Sequence, residues 1–288
     1  MAITLPERRT PSGVRPGDHL PHRGRRDVPL AAPTVLELRR AVSADRLVVA
    51  HQPIVSLDDG ALRGSETLVR WLHPRLGLLL PDRFLPLVRL AGVSAALDLL
   101  VLRAACRRLA ASPLLPPASV NVSRAALLTP GFVPAVLHTL RDHGLDGSRV
   151  QLELSEQLTL ADLAAASEEL RALRVAEVRV VLDDLGAGNT TLQHVRALRP
   201  AWVKVDRSLV AGVDRTPGHL DTIRRVVDLA GSLGAGVTAE GVERPEEVSS
   251  LVDAGCERGQ GWLFGRPVLQ VGERLVAPAA DGSTRAAG

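Results

Sequence analysis

Residues 150–156 read VQLELSE and residues 178–184 read VRVVLDD. Both are short apolar, β-like runs without Gly or Pro, and both finish in acid: Glu153 and Glu156 in the first, Asp183 and Asp184 in the second. An apolar strand ends in polar residues where it emerges from a core. Working outward, six further runs of the same kind lie at Leu47–Ser56, Leu62–Arg70, Ser119–Ser123, Trp202–Asp206, Gly236–Glu240 and Glu257–Gly261. Amphipathic stretches, among them Val93–Ala111, Val133–His143, Leu158–Leu173 and Leu220–Leu233, separate most of them. Strands alternating with helices predict an α/β fold with a mostly parallel sheet, and a count of eight favours closure into a TIM-like (β/α)8 barrel. Asp58-Asp59-Gly60 reads as a tight turn between the first two runs, which predicts a hairpin and one antiparallel strand near the start.

The ends of the chain read differently. Residues 1–32 are rich in Pro, Gly and Arg without a hydrophobic period, and predict a flexible arm. Thr34 and Glu37 then stand in capping-box spacing and open a helix. The barrel domain is expected over residues 33–271, with a frayed Ala/Gly-rich tail over 272–288.

Composition narrows the function. The chain of 288 residues is 45% hydrophobic and 23% charged, with a formal net charge of only +3 despite a pI near 9.6. Aromatics make up 2% with no Tyr, which argues against nucleic-acid binding by base stacking. Two cysteines, Cys106 and Cys256, form neither a disulfide framework nor a CxxC pair. No apolar run reaches the roughly 18 residues a membrane span needs, and Leu90–Leu102 is interrupted by Asp98. The arginine-bearing N-terminus has no apolar stretch behind it to make a signal peptide. A cytoplasmic protein without membrane insertion is the expectation. Lys204 is the sole lysine among 35 basic residues, which hints at a position needing a compact ammonium rather than a planar guanidinium.

Besides the two acidic strand ends, Glu66 lies in GSETLVRW, Asn121 in SVNVS, Lys204 and Asp206 in WVKVD, and Glu240 ends GVTAE. In a parallel barrel these ends meet at one rim, where such enzymes carry their active sites. Converging carboxylates repel one another without a cation. Hard oxygen ligands suit Mg²⁺ or Mn²⁺, and two such ions make a clamp for displacement at phosphorus. Taken singly, each acid also has a plain reading: Glu153 and Glu156 as helix caps, Asp183-Asp184 as part of a turn signal. His51, His73, His138, His143, His194 and His219 show no ligand spacing and read as surface or supporting residues.

Eight motifs in order, HQPIV (51–55), GSETLVRW (64–71), VNVS (120–123), LELSE (152–156), LDDLGAGNTTL (182–192), VKVDRSLV (203–210), AEGVE (239–243) and GQGWLFGRP (259–267), resemble the EAL-domain family of cyclic-di-GMP phosphodiesterases over residues 34–270. The resemblance implies hydrolysis of cyclic-di-GMP to linear pGpG with two Mg²⁺ or Mn²⁺ ions. It implies metal binding by Glu66, Asn121, Glu153, Asp183, Asp184 and Glu240. Catalytic roles fall to Lys204, Glu240 and Glu156, the last anchoring the loop Gly186-Ala187-Gly188 that the family links to dimerisation, so a homodimer is implied. Substrate contacts fall to Gln52, Leu68, Arg70, Asp206 and Gln260. The sequence departs from the family pattern at Leu185, Arg89 and Asn189, none of them a ligand position. A catalytically weak module that binds cyclic-di-GMP or a protein as a receptor is the competing expectation.

Overall fold

Strand residues alternate between faces, and here the alternation carries opposite chemistry on the two sides. Leu152 and Leu154 are buried in the same apolar cluster as the helix residues Val133, Val136, Leu163 and Leu170. Glu153, between them, points the other way and meets Lys204 inside the barrel. The same division repeats with Val120 and Val122 around Asn121, and with Val203 and Val205 around Lys204. The apolar core therefore lies between barrel and helices, while the inward face is free to be polar. Burying each Val or Leu outside contributes about 1.5–3 kcal/mol, and this offsets the cost of charges within.

The structure is a computed structural model and describes residues 32–44, 46–186, 192–271 and 274–276. Its strands are β1 (Leu47–Ser56), β2 (Leu62–His73), β3 (Gly77–Leu79), β4 (Ala118–Val122), β5 (Val150–Ser155), β6 (Arg179–Leu185), β7 (Trp202–Val205), β8 (Gly236–Glu240), β9 (Arg258–Gln260), β10 (Val268–Val271) and β11 (Arg274–Val276). The helices are α1 (Val35–Ser43), α2 (Pro81–Ala91), α3 (Ser94–Ala111), α4 (Arg124–Leu127), α5 (Phe132–Asp142), α6 (Leu160–Ala165), α7 (Ser167–Val175), α8 (Leu192–Leu198), α9 (Arg207–Val210), α10 (Pro217–Gly231) and α11 (Pro245–Asp253).

Neighbours run in parallel from β2 through β4, β5, β6, β7 and β8 to β9. β1 closes the ring, antiparallel to both β2 and β9. Eight strands thus form a closed barrel surrounded by helices, with the single reversed strand near the start, as expected. The Asp58-Asp59-Gly60 turn joins β1 to β2, and Gly60 takes the left-handed φ of +68° that such turns require. β3 extends the sheet beside β2, and β10 with β11 extends it beside β1.

Thr34 and Glu37 make the capping box of α1 in both directions. The single stretch expected over Leu158–Leu173 is instead two helices, α6 and α7, broken at Ala166 with ψ near 15°. They serve different neighbours: α6 leans on α8 and is tied to α4 by Arg124–Asp162, while α7 packs towards α5. Beyond Gly272, Arg274–Val276 pairs with β10, so that part of the expected tail is strand. The arm over 1–31 and residues 277–288 lie outside the described residues. Cys106 and Cys256 are free and buried, and burial pushes both thiols up to about 12. No helix among the described residues is long and apolar enough to cross a membrane.

Candidate active site

Lys204 sits in the middle of β7, 2% exposed, with its ammonium among four carboxylates. Nζ lies 2.5 Å from Glu240 Oε1, 2.9 Å from Glu153 Oε2, 3.3 Å from Asp183 Oδ1 and 3.4 Å from Glu66 Oε2. Four acids around one base leave excess negative charge, and the burial makes that excess costly. The titration of the group reflects it. Burial opposes the charge on Lys204, but Glu153, Glu240, Glu66 and Asp183 outweigh it and hold the ammonium well above its ordinary value. Glu153 is pushed well above the usual carboxylate range, by burial first and by its acidic neighbours, against the pull of Lys204. Glu240 rises to about 8, again chiefly by burial. For Glu66 burial is outweighed by Lys204 and by hydrogen bonds from Gln260 and Asn121, so its carboxyl lies below the usual range.

Adjacent strand residues ordinarily point to opposite faces, yet Asp183 and Asp184 both serve the mouth of the barrel. The β6–β7 register shifts between Leu182 and Leu185, and Asp184 adopts a left-handed φ of +62°. Such a bulge re-aims a side chain. Asp183, Asp184 and Glu240 consequently each place one oxygen within 4.8 Å of the others. Burial, Asp183 and Asp206 together raise Asp184 to about 6. Glu153 Oε1 is buried without a hydrogen-bond partner, and Asp183 Oδ1 has only its ion pair with Lys204 at 3.3 Å; such atoms call for an explanation. An all-oxygen donor set with orphaned, crowded anionic atoms fits divalent Mg²⁺ or Mn²⁺.

Amides hold the first of these acids in place. Glu66 accepts hydrogen bonds at 2.6 Å from Asn121 Nδ2 and at 2.6 Å from Gln260 Nε2. Gln260 also donates to Gln52 Oε1, and Gln52 donates to the Gly265 carbonyl. One network therefore joins Glu66, Asn121, Glu153, Asp183, Lys204, Glu240, Gln52 and Gln260, one from each of the eight barrel strands. Leu68 and Arg70 follow Glu66 at two-residue spacing on β2, hence on its face; Leu68 is half-buried, while the Arg70 guanidinium donates to the Val69 carbonyl. Asp206 caps α9 by accepting from the Ser208 amide, and Glu156 donates its own amide to the Asp183 carbonyl. The charges of both bear on Asp184. The loop residues Ala187, Gly188 and Asn189 lie outside the described residues.

The strand-end groups are expected at the rim; Glu66, Glu153 and Lys204 lie deeper, buried inside the mouth. Of the two readings open for the histidines, His51 and His73 take the supporting one: His51 is buried beside Thr67 and Gln270, and His73 lies buried against Trp71. Sequence reading also missed Glu247. Its buried carboxylate accepts from the amides of Gly212, Glu243 and Arg244, joining the chain after α9 to the loop after β8. The signal was present as a second capping-box spacing, Arg244 to Glu247.

Comparison with known proteins adds to this geometry. The family model of the EAL domain matches residues 35–267. The cyclic di-GMP phosphodiesterase NbdA of Pseudomonas aeruginosa is 36% identical over 236 residues, covering 81% of this chain and 30% of NbdA. The Mycobacterium tuberculosis protein Rv1354c is 36% identical over 241 residues, 81% of this chain and 38% of that protein. This chain thus spans well under half the length of either relative. The solved PaMucR phosphodiesterase in complex with c-di-GMP superposes with a TM-score of 0.75 at 31% identity, covering 81% of this chain and 96% of that one. Klebsiella pneumoniae BlrP1, solved as a calcium and c-di-GMP complex, gives 0.70 at 27% identity, over 85% of this chain and 60% of that one.

Proposed function

Since the chain belongs to the EAL-domain family, we propose that it is a metal-dependent phosphodiesterase that hydrolyses cyclic-di-GMP to linear pGpG in the cytoplasm. The observation that carries this reading is the convergence of Glu66, Glu153, Asp183 and Glu240 on Lys204, with Asp184 beside them. An inactive receptor has no need to keep so costly a set of buried acids.

Glu66, Asn121, Glu153 and Asp183 would hold one divalent cation, and Asp183, Asp184 and Glu240 a second. When bound, the ions supply a nucleophile at neutral pH and charge stabilisation at phosphorus. The remaining chemistry belongs to the chain. Lys204, fixed by its carboxylates and kept protonated by them, donates to oxygens gaining charge in the transition state. Asn121 and Gln260 hold Glu66 in one orientation, and Gln52 steadies Gln260, so the donor set is preorganised. Arg70 offers a fork to a phosphate from the same strand face as Glu66. Asp206 and Glu156 act through Asp184 and the α9 cap.

The test is chromatographic detection of pGpG from cyclic-di-GMP with purified protein and Mg²⁺ or Mn²⁺. Chelation should stop product formation and added cation restore it. Tight binding of cyclic-di-GMP with no product in single-turnover conditions would favour the receptor reading and overturn this one.

A further inference from the structure

One motif residue has no part in the network described above: the indole of Trp262. A groove of about 570 Å³ runs from Gln52, Glu240 and Gln260 at the acidic mouth to Trp262, flanked by Arg207 and Gly212. Trp262 is 54% exposed, unusual for the largest apolar side chain. Arg266 lies over its ring, with the guanidinium carbon 4.0 Å from the ring centre. Arg266 does not line the groove, whereas Trp262 does. The cation therefore covers one side of the indole, and a side turned to the groove is left available.

The backbone that carries the ring is also held firmly. The backbone around it is laced to the loop after Glu240 by Val242 N to the Gln260 carbonyl and Leu263 N to the Val242 carbonyl. At Gly261 a Cβ would lie 2.0 Å from the Val242 carbonyl oxygen, so only glycine permits this approach. The acid that faces the reacting phosphate and the aromatic beside the groove are thus parts of one rigid unit. Arg207, packed against Gly241 at the same loop, has no ion-pair partner among the described residues. A flat aromatic backed by a cation, a free guanidinium and an adjoining phosphodiester site together fit a purine nucleotide.

We propose that Trp262 is a specificity-determining residue: it stacks on a guanine of the dinucleotide, sandwiching the ring between base and Arg266, while Arg207 meets the phosphate of that nucleotide half. This rests on the cyclic-di-GMP reading above. Trp262→Ala should raise KM for cyclic-di-GMP by roughly ten- to hundred-fold, the range set by loss of one base–aromatic stack, and leave kcat within about two-fold. Trp262→Phe, which keeps a stacking face, should stay within about three-fold of the parent in KM, a rescue that a merely structural role would not predict. Equal KM for the parent and Trp262→Ala would overturn the stacking while leaving the phosphodiesterase reading intact. If the parent makes no pGpG, that reading fails on its own, and equilibrium binding of cyclic-di-GMP decides the stacking: Trp262→Ala must then bind at least ten-fold more weakly, and equal Kd values, or no binding by the parent, overturn it.

Discussion

Replacing Lys204 by Met removes the one positive charge among four carboxylates that lie 2.5–3.4 Å from it. The folded protein then has two routes. It can keep the acids charged against one another, and breaking a buried pair by removing one partner costs about 3–5 kcal/mol. Or it can take up a proton, at about 1.4 kcal/mol for each pH unit above the ordinary carboxyl value. That second route costs about 5 kcal/mol at pH 8 but only about 1.4 kcal/mol at pH 5.5 for Glu66, which is ionised in the parent and has an ordinary value of 4.5. The cheaper route sets the deficit, so Lys204→Met in EDTA should lose about 3–5 kcal/mol at pH 8 and only about 1–2 kcal/mol at pH 5.5. The sign follows from linkage: the variant's folded state binds the extra proton, so it gains stability relative to the parent as pH falls. Urea unfolding of both proteins at the two pH values measures this directly, and Mg²⁺ added at pH 8 should narrow the gap. Glu153→Gln in the Lys204→Met background removes one of the competing charges and should recover part of the loss. A deficit that is absent at pH 8, or that does not shrink on acidification, would refute the electrostatic account.

The other predictions are local. Glu66→Gln should lower kcat for cyclic-di-GMP by on the order of 10²–10³ or more, as removal of preorganised charge does; near-normal turnover would overturn its assignment as a metal ligand. Lys204→Arg should also lose most activity although it keeps the charge, because a 2%-exposed site shaped for an ammonium has no room for the planar fork; pGpG formation at the parent rate would contradict this. Burial is the main cause that pushes His51 down to about 4, so the unfolded chain protonates first, near 6.5, as pH falls. Its contribution is whole above pH 6.5 and is lost on the way to about pH 4, on the order of 3 kcal/mol. His51→Gln should flatten that part of the stability–pH curve, and unchanged slopes would show that His51 is not its source. Gly261→Ala puts a methyl 2.0 Å from the Val242 carbonyl oxygen and should cost about 1–3 kcal/mol and reduce turnover by displacing the Glu240 loop. Normal values for both would show that the approach is not as tight as drawn.

The eight barrel strands were legible because each is short, apolar and bounded by turn residues or helices, and Asp58-Asp59-Gly60 marked the reversed one. The acids at the ends of those strands were legible as a set and not singly, since each alone also reads as a helix cap or part of a turn. Depth was not. Whether Glu66 is exposed on a rim or buried in the mouth depends on the stagger between strands, which no single strand encodes. The break at Ala166 was hidden because Leu158–Leu173 keeps its hydrophobic period, while α6 and α7 choose different neighbours. Which of its two readings His51 takes was hidden for a related reason: it sits on β1, but β10, which supplies its partner Gln270, comes more than two hundred residues later.

The two Asp residues show why local pattern and function part company here. Alternation along β6 assigns Asp183 and Asp184 to opposite faces, so a regular strand could deliver only one of them to the site. The left-handed backbone at Asp184, which an ordinary residue adopts only at a cost of about 1–3 kcal/mol, is what brings the second oxygen within 4.8 Å of Glu240. That strain stabilises nothing in the fold itself. It is tolerated because β5 and β7 hold β6 on both sides, through the Glu156 amide bonded to the Asp183 carbonyl and the Asp206 amide bonded to the Leu185 carbonyl. Two sequence-adjacent acids sharing one mouth are therefore stronger evidence for a bound cation than either acid alone, since a merely structural Asp would relax to the regular strand.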